Sequence, residues 1–169
     1  MVRASFIVLL LAACFVPPAL AEKRVALVIG NASYVEGALE NPVRDATAIA
    51  SRLRELDFEV VQVTDGSLRD MQQGLVRFLQ QIERGATALV FYAGHGIQAN
   101  GRNYLMPVEA KLESEMSLRF QAMEVTDILE ELERSGARMN IVILVACRNN
   151  PFERKFRGGS RGLAVVDAA

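Results

Sequence analysis

The chain is poor in histidine and cysteine, the side chains that supply imidazole and thiolate ligands to metal sites. Its 169 residues include one histidine, two cysteines and no tryptophan. A structural zinc site built from four imidazole or thiolate ligands is therefore excluded. The net charge is only −1, so no basic excess exists to neutralise phosphates, and we expect no nucleic-acid partner. A hydrophobic content of 51% excludes a disordered chain, and the length suits one domain with a real core.

The first 21 residues have the pattern of an export signal rather than that of a folded element. One basic residue precedes an apolar run over residues 4–16, and an Ala-Leu-Ala sequence then suits cleavage by a signal peptidase after Ala21. The apolar run is too short to span a bilayer comfortably as a helix. We therefore expect a signal peptide at 1–21 and a domain over 22–169.

A second interpretation of the same segment is a lipoprotein signal. Residues 11–14 read Leu-Ala-Ala-Cys, which resembles the lipobox of bacterial lipoproteins, and Cys14 would then carry the lipid. Both interpretations predict a bacterial protein that leaves the cytoplasm for the periplasm or the medium. Attachment to a membrane is expected only if Cys14 is lipidated.

Apolar runs and helical patterns alternate through the remainder of the chain. Four runs have the length and composition of buried strands, and they cover residues 24–29, 58–63, 86–92 and 140–144. Three stretches repeat apolar residues at helical spacing, and they begin after Pro42, after Ser67 and at Val125. An Asn-Gly pair at 100–101 predicts a small hairpin. This alternation predicts an α/β domain with a mostly parallel sheet and helices on both faces.

The single histidine, and the single cysteine outside the export segment, each follow one of these predicted strands. His95 lies three residues beyond the third strand, and Cys147 lies three residues beyond the fourth. Functional sites in open parallel sheets collect at the carboxyl ends of the strands. If the two strands are parallel neighbours, the thiol and the imidazole emerge at one edge and face each other.

A thiol beside an imidazole is suited to nucleophilic acyl transfer. The imidazole favours formation of the thiolate and later protonates the leaving amine. The backbone N–H groups of Gly96 and Cys147 would then stabilise the oxyanion. The alternative interpretation is a structural cysteine at a strand end and a histidine in a glycine-rich turn.

Two motifs resemble those of the caspase-like cysteine peptidases, especially the bacterial metacaspase-like (orthocaspase) branch. Residues 92–96 read Tyr-Ala-Gly-His-Gly, and residues 146–149 read Ala-Cys-Arg-Asn. A histidine about 50 residues before the cysteine is a known caspase signature. The similarity extends over nearly all of 23–169. It implies a three-layer caspase-like fold with a mostly parallel central sheet flanked by helices.

The resemblance implies a cysteine-type endopeptidase that hydrolyses peptide bonds in peptide or protein substrates. His95 would be the general base and acid, Cys147 the nucleophile and Gly96 a donor to the oxyanion. Asp45 matches an acidic residue that such enzymes use to bind a substrate Arg or Lys, and a carboxylate suits that pairing. An equally open interpretation is that Asp45 only offsets the dipole of the helix that it begins.

Two features depart from the family pattern. Val145 stands where the family usually has an Asp, two residues before the cysteine, and the chain ends where two further strands usually follow. Cleavage after basic residues is one expectation, and a catalytically inactive interaction or regulatory module is the alternative. No cofactor is expected. Some members of the family depend on calcium, and the resemblance leaves that dependence open for this chain without assigning ligands to particular residues.

Overall fold

The computed structural model describes residues 22–111 and 114–146. The strands of this part are β1 (Arg24–Gly30), β2 (Glu59–Thr64), β3 (Thr87–Gly94), β4 (Gly96–Ala99), β5 (Arg102–Leu105), β6 (Met123–Glu124) and β7 (Met139–Ala146). The helices are α1 (Pro42–Glu55), α2 (Leu68–Gln81), α3 (Glu115–Gln121) and α4 (Val125–Arg134). The predicted export segment, Cys147 and the remainder of the C-terminal segment lie outside the described residues.

The central sheet has the strand order β2-β1-β3-β7, and every neighbouring pair is parallel. The prediction of an α/β fold with a mostly parallel sheet is therefore confirmed. Parallel neighbours present their carboxyl ends at the same edge, so the segments after β1, β2 and β3 meet there, beside the end of β7. The sheet thus gathers residues that lie far apart in the sequence.

Helices cover both faces of this sheet and give three layers. Apolar residues of α1, including Ala46 and Ala50, pack with Val28 and other residues on one face. On the opposite face, Phe78 of α2 and Ile128 of α4 belong to the larger core. Because both faces are covered, β1 and β3 consist almost entirely of buried residues.

Local sequence signals explain how several of these elements begin and turn. Ser67 and Asp70 form a capping box at the start of α2, in which each side chain accepts from the backbone N–H of the other. Asn100 and Gly101 have φ values of 50° and 76°, as a type I′ turn requires. This turn joins β4 to β5, and both belong with β6 to a small antiparallel sheet.

Two strands extend two residues further at their carboxyl ends than the sequence predicts. We expected the third strand to end at Tyr92 and the fourth at Leu144, but pairing continues to Gly94 and Ala146. His95 and the position of Cys147 therefore follow their strands directly rather than after two intervening residues. Gly94 and Gly96 indicated a loop after the third strand, whereas hydrogen bonding between β3 and β7 keeps the ends of both strands extended.

Helix α3 was not predicted from the sequence. It has only seven residues, and two of its apolar side chains, Met116 and Phe120, are exposed while Leu118 is buried. So short a helix shows too little periodicity to be recognised, because a single buried residue does not define a stripe. Leu118 packs in the small cluster beside the antiparallel sheet, which is what keeps α3 in place.

No helix in residues 22–111 and 114–146 is long and apolar enough to cross a membrane.

Two phenylalanines, one buried and one exposed, allow the contribution of burial to stability to be measured. Phe78 is fully buried, whereas Phe120 is 74% exposed. We expect Phe78→Ala to lower the free energy of unfolding by about 3–5 kcal/mol, because it leaves a cavity in the core. Phe120→Ala, the matched control, should change it by less than about 0.5 kcal/mol. Urea denaturation measures both values, and equal losses would contradict this description of the core.

Candidate active site at the carboxyl edge of the sheet

His95 follows β3 directly and is 1% exposed. Its backbone N–H donates to the hydroxyl of Tyr34 at 2.9 Å. Its carbonyl oxygen accepts from the hydroxyl of Tyr92 at 2.6 Å and from the backbone N–H of Met106 at 3.1 Å. Both backbone polar groups are thus satisfied inside the protein, which permits the residue to be buried.

The imidazole ring is oriented by the loop that joins β1 to α1 (residues 31–41, the β1–α1 loop). Nε2 of His95 lies 2.7 Å from the carbonyl oxygen of Gly37. A carbonyl oxygen only accepts hydrogen bonds, so Nε2 carries the hydrogen, and in the neutral ring Nδ1 is the basic nitrogen. The ring of Tyr34 packs on the imidazole at a centroid distance of 4.4 Å and an angle of 49°.

Burial changes the acidity of this ring. Removal from water disfavours the charged form and lowers the pKa of His95 below its ordinary value, and the hydrogen bond to Gly37 offsets only part of this effect. The neutral ring therefore predominates around neutral pH. A neutral imidazole with Nε2 held by a carbonyl is arranged to accept a proton at Nδ1.

A pair of phenol groups lies beneath the histidine. The hydroxyl oxygens of Tyr34 and Tyr92 are 3.1 Å apart, and the Tyr34 hydroxyl also donates to the carbonyl of Met106 at 3.2 Å. A Cβ atom on Gly94 would lie 2.4 Å and 2.6 Å from these two oxygens. Only glycine at this position leaves room for both phenols, which explains its place directly before the histidine.

Asn31 connects the loop to the neighbouring strand ends. It is fully buried, its side-chain N–H donates to the carbonyl of Met106 at 3.0 Å, and its side-chain oxygen accepts from Gly66 N–H at 2.9 Å. Sequence reasoning assigned no role to Tyr34, Gly37 or Asn31. The signal that was present is position, because all three follow β1 at the edge where sites are expected.

The other predicted site residues lie around the same edge. Gly96 is buried and begins β4 directly after His95. Asp45 is half-buried in the first turn of α1. That turn packs closely on the end of β1, since a Cβ on Gly30 would lie 2.5 Å from Cβ of Ala46. Val145 lies in β7 opposite Ala93 and is 48% exposed.

Cys147 lies outside the described residues, so its distance from His95 stays a prediction. The strand register bears on it nonetheless. Gly94 pairs with Ala146, so the residue that precedes His95 lies opposite the residue that precedes Cys147. Paired strands lie about 5 Å apart, so Gly94 and Ala146 are close neighbours across the sheet, and consecutive Cα atoms along each strand are about 3.8 Å apart.

Candidate metal ligands do not gather in this part of the chain. No group of three or more His, Cys, Asp or Glu side chains that would hold a metal ion occurs within residues 22–111 and 114–146.

The fold places this protein among the three-layer α/β proteins with a parallel central sheet, and the buried, oriented histidine lies at the carboxyl edge of that sheet, where such proteins have their active sites. Comparison with protein families makes the class specific, since the model of the caspase domain matches residues 23–166. The chain therefore belongs to the caspase family, a family of cysteine peptidases that act on protein substrates. The predicted resemblance is confirmed at this level.

Two curated relatives support the same family. The chain is 34% identical over 132 residues to the human mucosa-associated lymphoid tissue lymphoma translocation protein 1, and 35% identical over 132 residues to its mouse homologue. Each alignment covers 76% of this chain but only 15% of the relative. The chain thus corresponds to a small part of those proteins.

One solved structure supports the fold. The protein GSU0716 from Geobacter sulfurreducens superposes with a TM-score of 0.57 at 17% sequence identity. The match covers 78% of this chain and 53% of that protein. At this identity the similarity establishes the fold alone.

The single imidazole of the chain makes its titration directly measurable. We expect the NMR titration midpoint of His95 to lie below the ordinary value of about 6.5, because burial disfavours the cation. As the pH falls through that value, the unfolded chain binds a proton that the folded chain does not, so the free energy of unfolding decreases. His95→Gln should lack this component of the pH dependence. A midpoint at or above 6.5 would contradict the burial argument.

Proposed function

We propose that this chain is a cysteine-type endopeptidase domain in which His95 and Cys147 form the catalytic dyad. The observation that carries the proposal is the orientation of His95, whose Nε2 is bound to the carbonyl of Gly37 so that Nδ1 is the basic nitrogen. The register of β3 with β7 supports the pairing, because Gly94 and Ala146 lie opposite each other. His95 and Cys147 are the next residues of the chain after this pair, so each is one residue beyond a paired position.

The reaction begins with transfer of the thiol proton of Cys147 to Nδ1 of His95. The thiolate attacks the carbonyl carbon of the substrate peptide, and the negative charge that develops on oxygen is stabilised by the N–H groups of Gly96 and Cys147. As the tetrahedral intermediate collapses, the C–N bond breaks and the imidazolium donates its proton to the leaving amine. Water, deprotonated by His95, then hydrolyses the thioester and regenerates the thiol.

The Gly37 carbonyl orients the imidazole and stabilises the cation that forms during the reaction. In serine peptidases an aspartate holds the corresponding nitrogen of the histidine. Here a neutral carbonyl oxygen takes that place, so the imidazolium gains a hydrogen bond but no ion pair. Burial lowers the pKa of His95, the Gly37 carbonyl offsets only part of that effect, and the resting histidine therefore stays in its basic form.

The substrate residue before the scissile bond is proposed to lie near Asp45 and Val145. Asp45 provides one carboxylate at the first turn of α1 for an Arg or Lys side chain. Val145 stands in place of the second acid expected in the metacaspase-like branch, to which the motifs of the chain assign it. A single carboxylate supports cleavage after basic residues with weaker discrimination than a pair.

A catalytically inactive interaction or regulatory module is the second candidate. Val145 favours it, because an apolar side chain that is 48% exposed at the edge of the sheet replaces an acidic residue of the family pattern. The oriented histidine favours the enzyme, because its Nε2 is bound to the Gly37 carbonyl and Nδ1 is therefore the basic nitrogen that a general base needs.

Peptide cleavage distinguishes the two candidates. We expect turnover of peptides with Arg or Lys before the scissile bond, and a fall of roughly 10³-fold or more in kcat/KM for Cys147→Ala and for His95→Gln. The control is Phe120→Ala, which changes an exposed residue of α3 and should leave kcat/KM unchanged. Absence of Cys147-dependent turnover with peptides bearing Arg, Lys or Asp at that position would favour the inactive module.

Position 145 tests the specificity. We expect Val145→Asp to raise kcat/KM for Arg-containing peptides relative to peptides with an uncharged residue, because a second carboxylate strengthens binding of the guanidinium. Val145→Asn, of the same size but without charge, is the matched control. An unchanged preference in Val145→Asp would mean that this residue does not contact the substrate side chain.

A further inference from the structure

We propose that Asp65 is a positioning residue for His95, acting through the β1–α1 loop although it contacts neither the imidazole nor the substrate. The inference rests on the proposed function in so far as His95 is the catalytic base. The mechanical link between Asp65 and the imidazole is independent of that role and is open to a separate measurement.

Asp65 follows β2 directly and holds the start of the β1–α1 loop. One carboxylate oxygen accepts from the backbone N–H groups of Ala32 at 2.7 Å and Ser33 at 2.9 Å. The other accepts from the hydroxyl of Ser33 at 2.7 Å. The backbone N–H of Asp65 donates to the carbonyl of Gly30 at 2.9 Å, so a single residue binds the end of β1 and the beginning of the loop.

The residues that Asp65 holds are adjacent to those that hold the histidine. Tyr34, next in the chain after Ser33, accepts the N–H of His95 and packs against its ring. The carbonyl of Ala32 accepts from the N–H groups of Tyr34 and Leu39, both at 2.9 Å, which closes the loop around Gly37. A displacement of Ala32 therefore moves both groups that orient the imidazole.

The chemistry at position 65 suits this task. Asp65 has a φ of 48°, in the left-handed region that Asp and Asn tolerate better than most residues. Burial tends to raise the pKa of its carboxyl group, but the hydrogen bonds from Ala32 and Ser33 outweigh this effect and lower the pKa. The group is therefore ionised at neutral pH, and a carboxylate accepts all three hydrogen bonds at once.

Position 65 also has a natural control in the same protein. Asp70, five residues further along the chain, accepts from the backbone N–H and the hydroxyl of Ser67 in the capping box of α2. Its pKa is lowered by those hydrogen bonds from Ser67. Asp70 thus has a comparable structural role but stabilises a helix rather than the β1–α1 loop.

The test compares Asp65→Ala, Asp65→Asn and Ser33→Ala with Asp70→Ala and the unaltered chain. The NMR signals of the single imidazole report its pKa and the protonated nitrogen, and peptide turnover reports kcat and KM. In Asp65→Ala we expect the pKa of His95 to rise toward about 6.5, as the loosened loop admits water. We expect kcat to fall roughly 10- to 100-fold with a smaller change in KM, because misplacement of a catalytic group affects the chemical step.

The remaining variants separate positioning from stability. Asp65→Asn keeps an oxygen for the two backbone N–H groups, so the pKa of His95 and kcat should stay close to their values in the unaltered chain. Ser33→Ala should shift the imidazole signals in the same direction as Asp65→Ala but less, and it decides the question if Asp65→Ala fails to fold. Asp70→Ala should lower stability without moving those signals.

Unchanged imidazole signals in Asp65→Ala, or in Ser33→Ala if the former does not fold, would overturn the proposal. A shift in Asp70→Ala as large as that in Asp65→Ala would also overturn it, since general loosening would then suffice. If the unaltered chain shows no Cys147-dependent turnover, the proposed function fails, and the NMR comparison still decides whether Asp65 positions His95.

Discussion

The hydrogen bond from Nε2 of His95 to the carbonyl oxygen of Gly37 is the interaction on which the site depends. It selects the tautomer, and the tautomer decides which nitrogen is able to accept a proton. The bond exists only because the β1–α1 loop returns over the end of β3, and the loop is held there by groups from neighbouring strand ends. Asn31 and Asp65 supply the polar side chains of that attachment. The state of one imidazole thus reflects how three parallel strands end.

Burial of the histidine has a cost as well as a use. A buried imidazole lowers the free energy of unfolding of the protein on acidification. The buried N–H and carbonyl of His95 would also destabilise the fold if they were left without hydrogen bonds. Tyr34 and Tyr92 supply those hydrogen bonds, because their hydroxyls bind the N–H and the carbonyl of His95. The same phenols require Gly94 to lack a side chain. The Tyr-Ala-Gly-His-Gly motif is therefore a packing arrangement as much as a chemical one.

Most of the fold was predictable, because its signals are local. The capping residues of α2 and the Asn-Gly turn between β4 and β5 are each recognisable from a few consecutive residues. Each buried strand is recognisable from a single apolar run. The ends of β3 and β7 were placed too early, since cross-strand hydrogen bonds rather than residue type keep Gly94 and Ala146 extended. Helix α3 was not predicted, because it packs through one buried leucine in a neighbouring cluster and shows no helical periodicity in the sequence. The pairing of His95 with Cys147 stays a prediction, as do the signal peptide and the cleavage preference.

The sequence by itself determined the alternation of strands and helices, the family motifs and the uniqueness of the histidine, because these are properties of residue type and spacing. Only the tertiary structure decided the tautomer of that histidine, the lowering of its pKa and the hydrogen bonds made by Tyr34, Gly37 and Asp65. Each of these depends on a distance between groups from different strands. A backbone carbonyl such as that of Gly37 has no signature in the sequence, since every residue carries one and only the path of the chain determines where it lies.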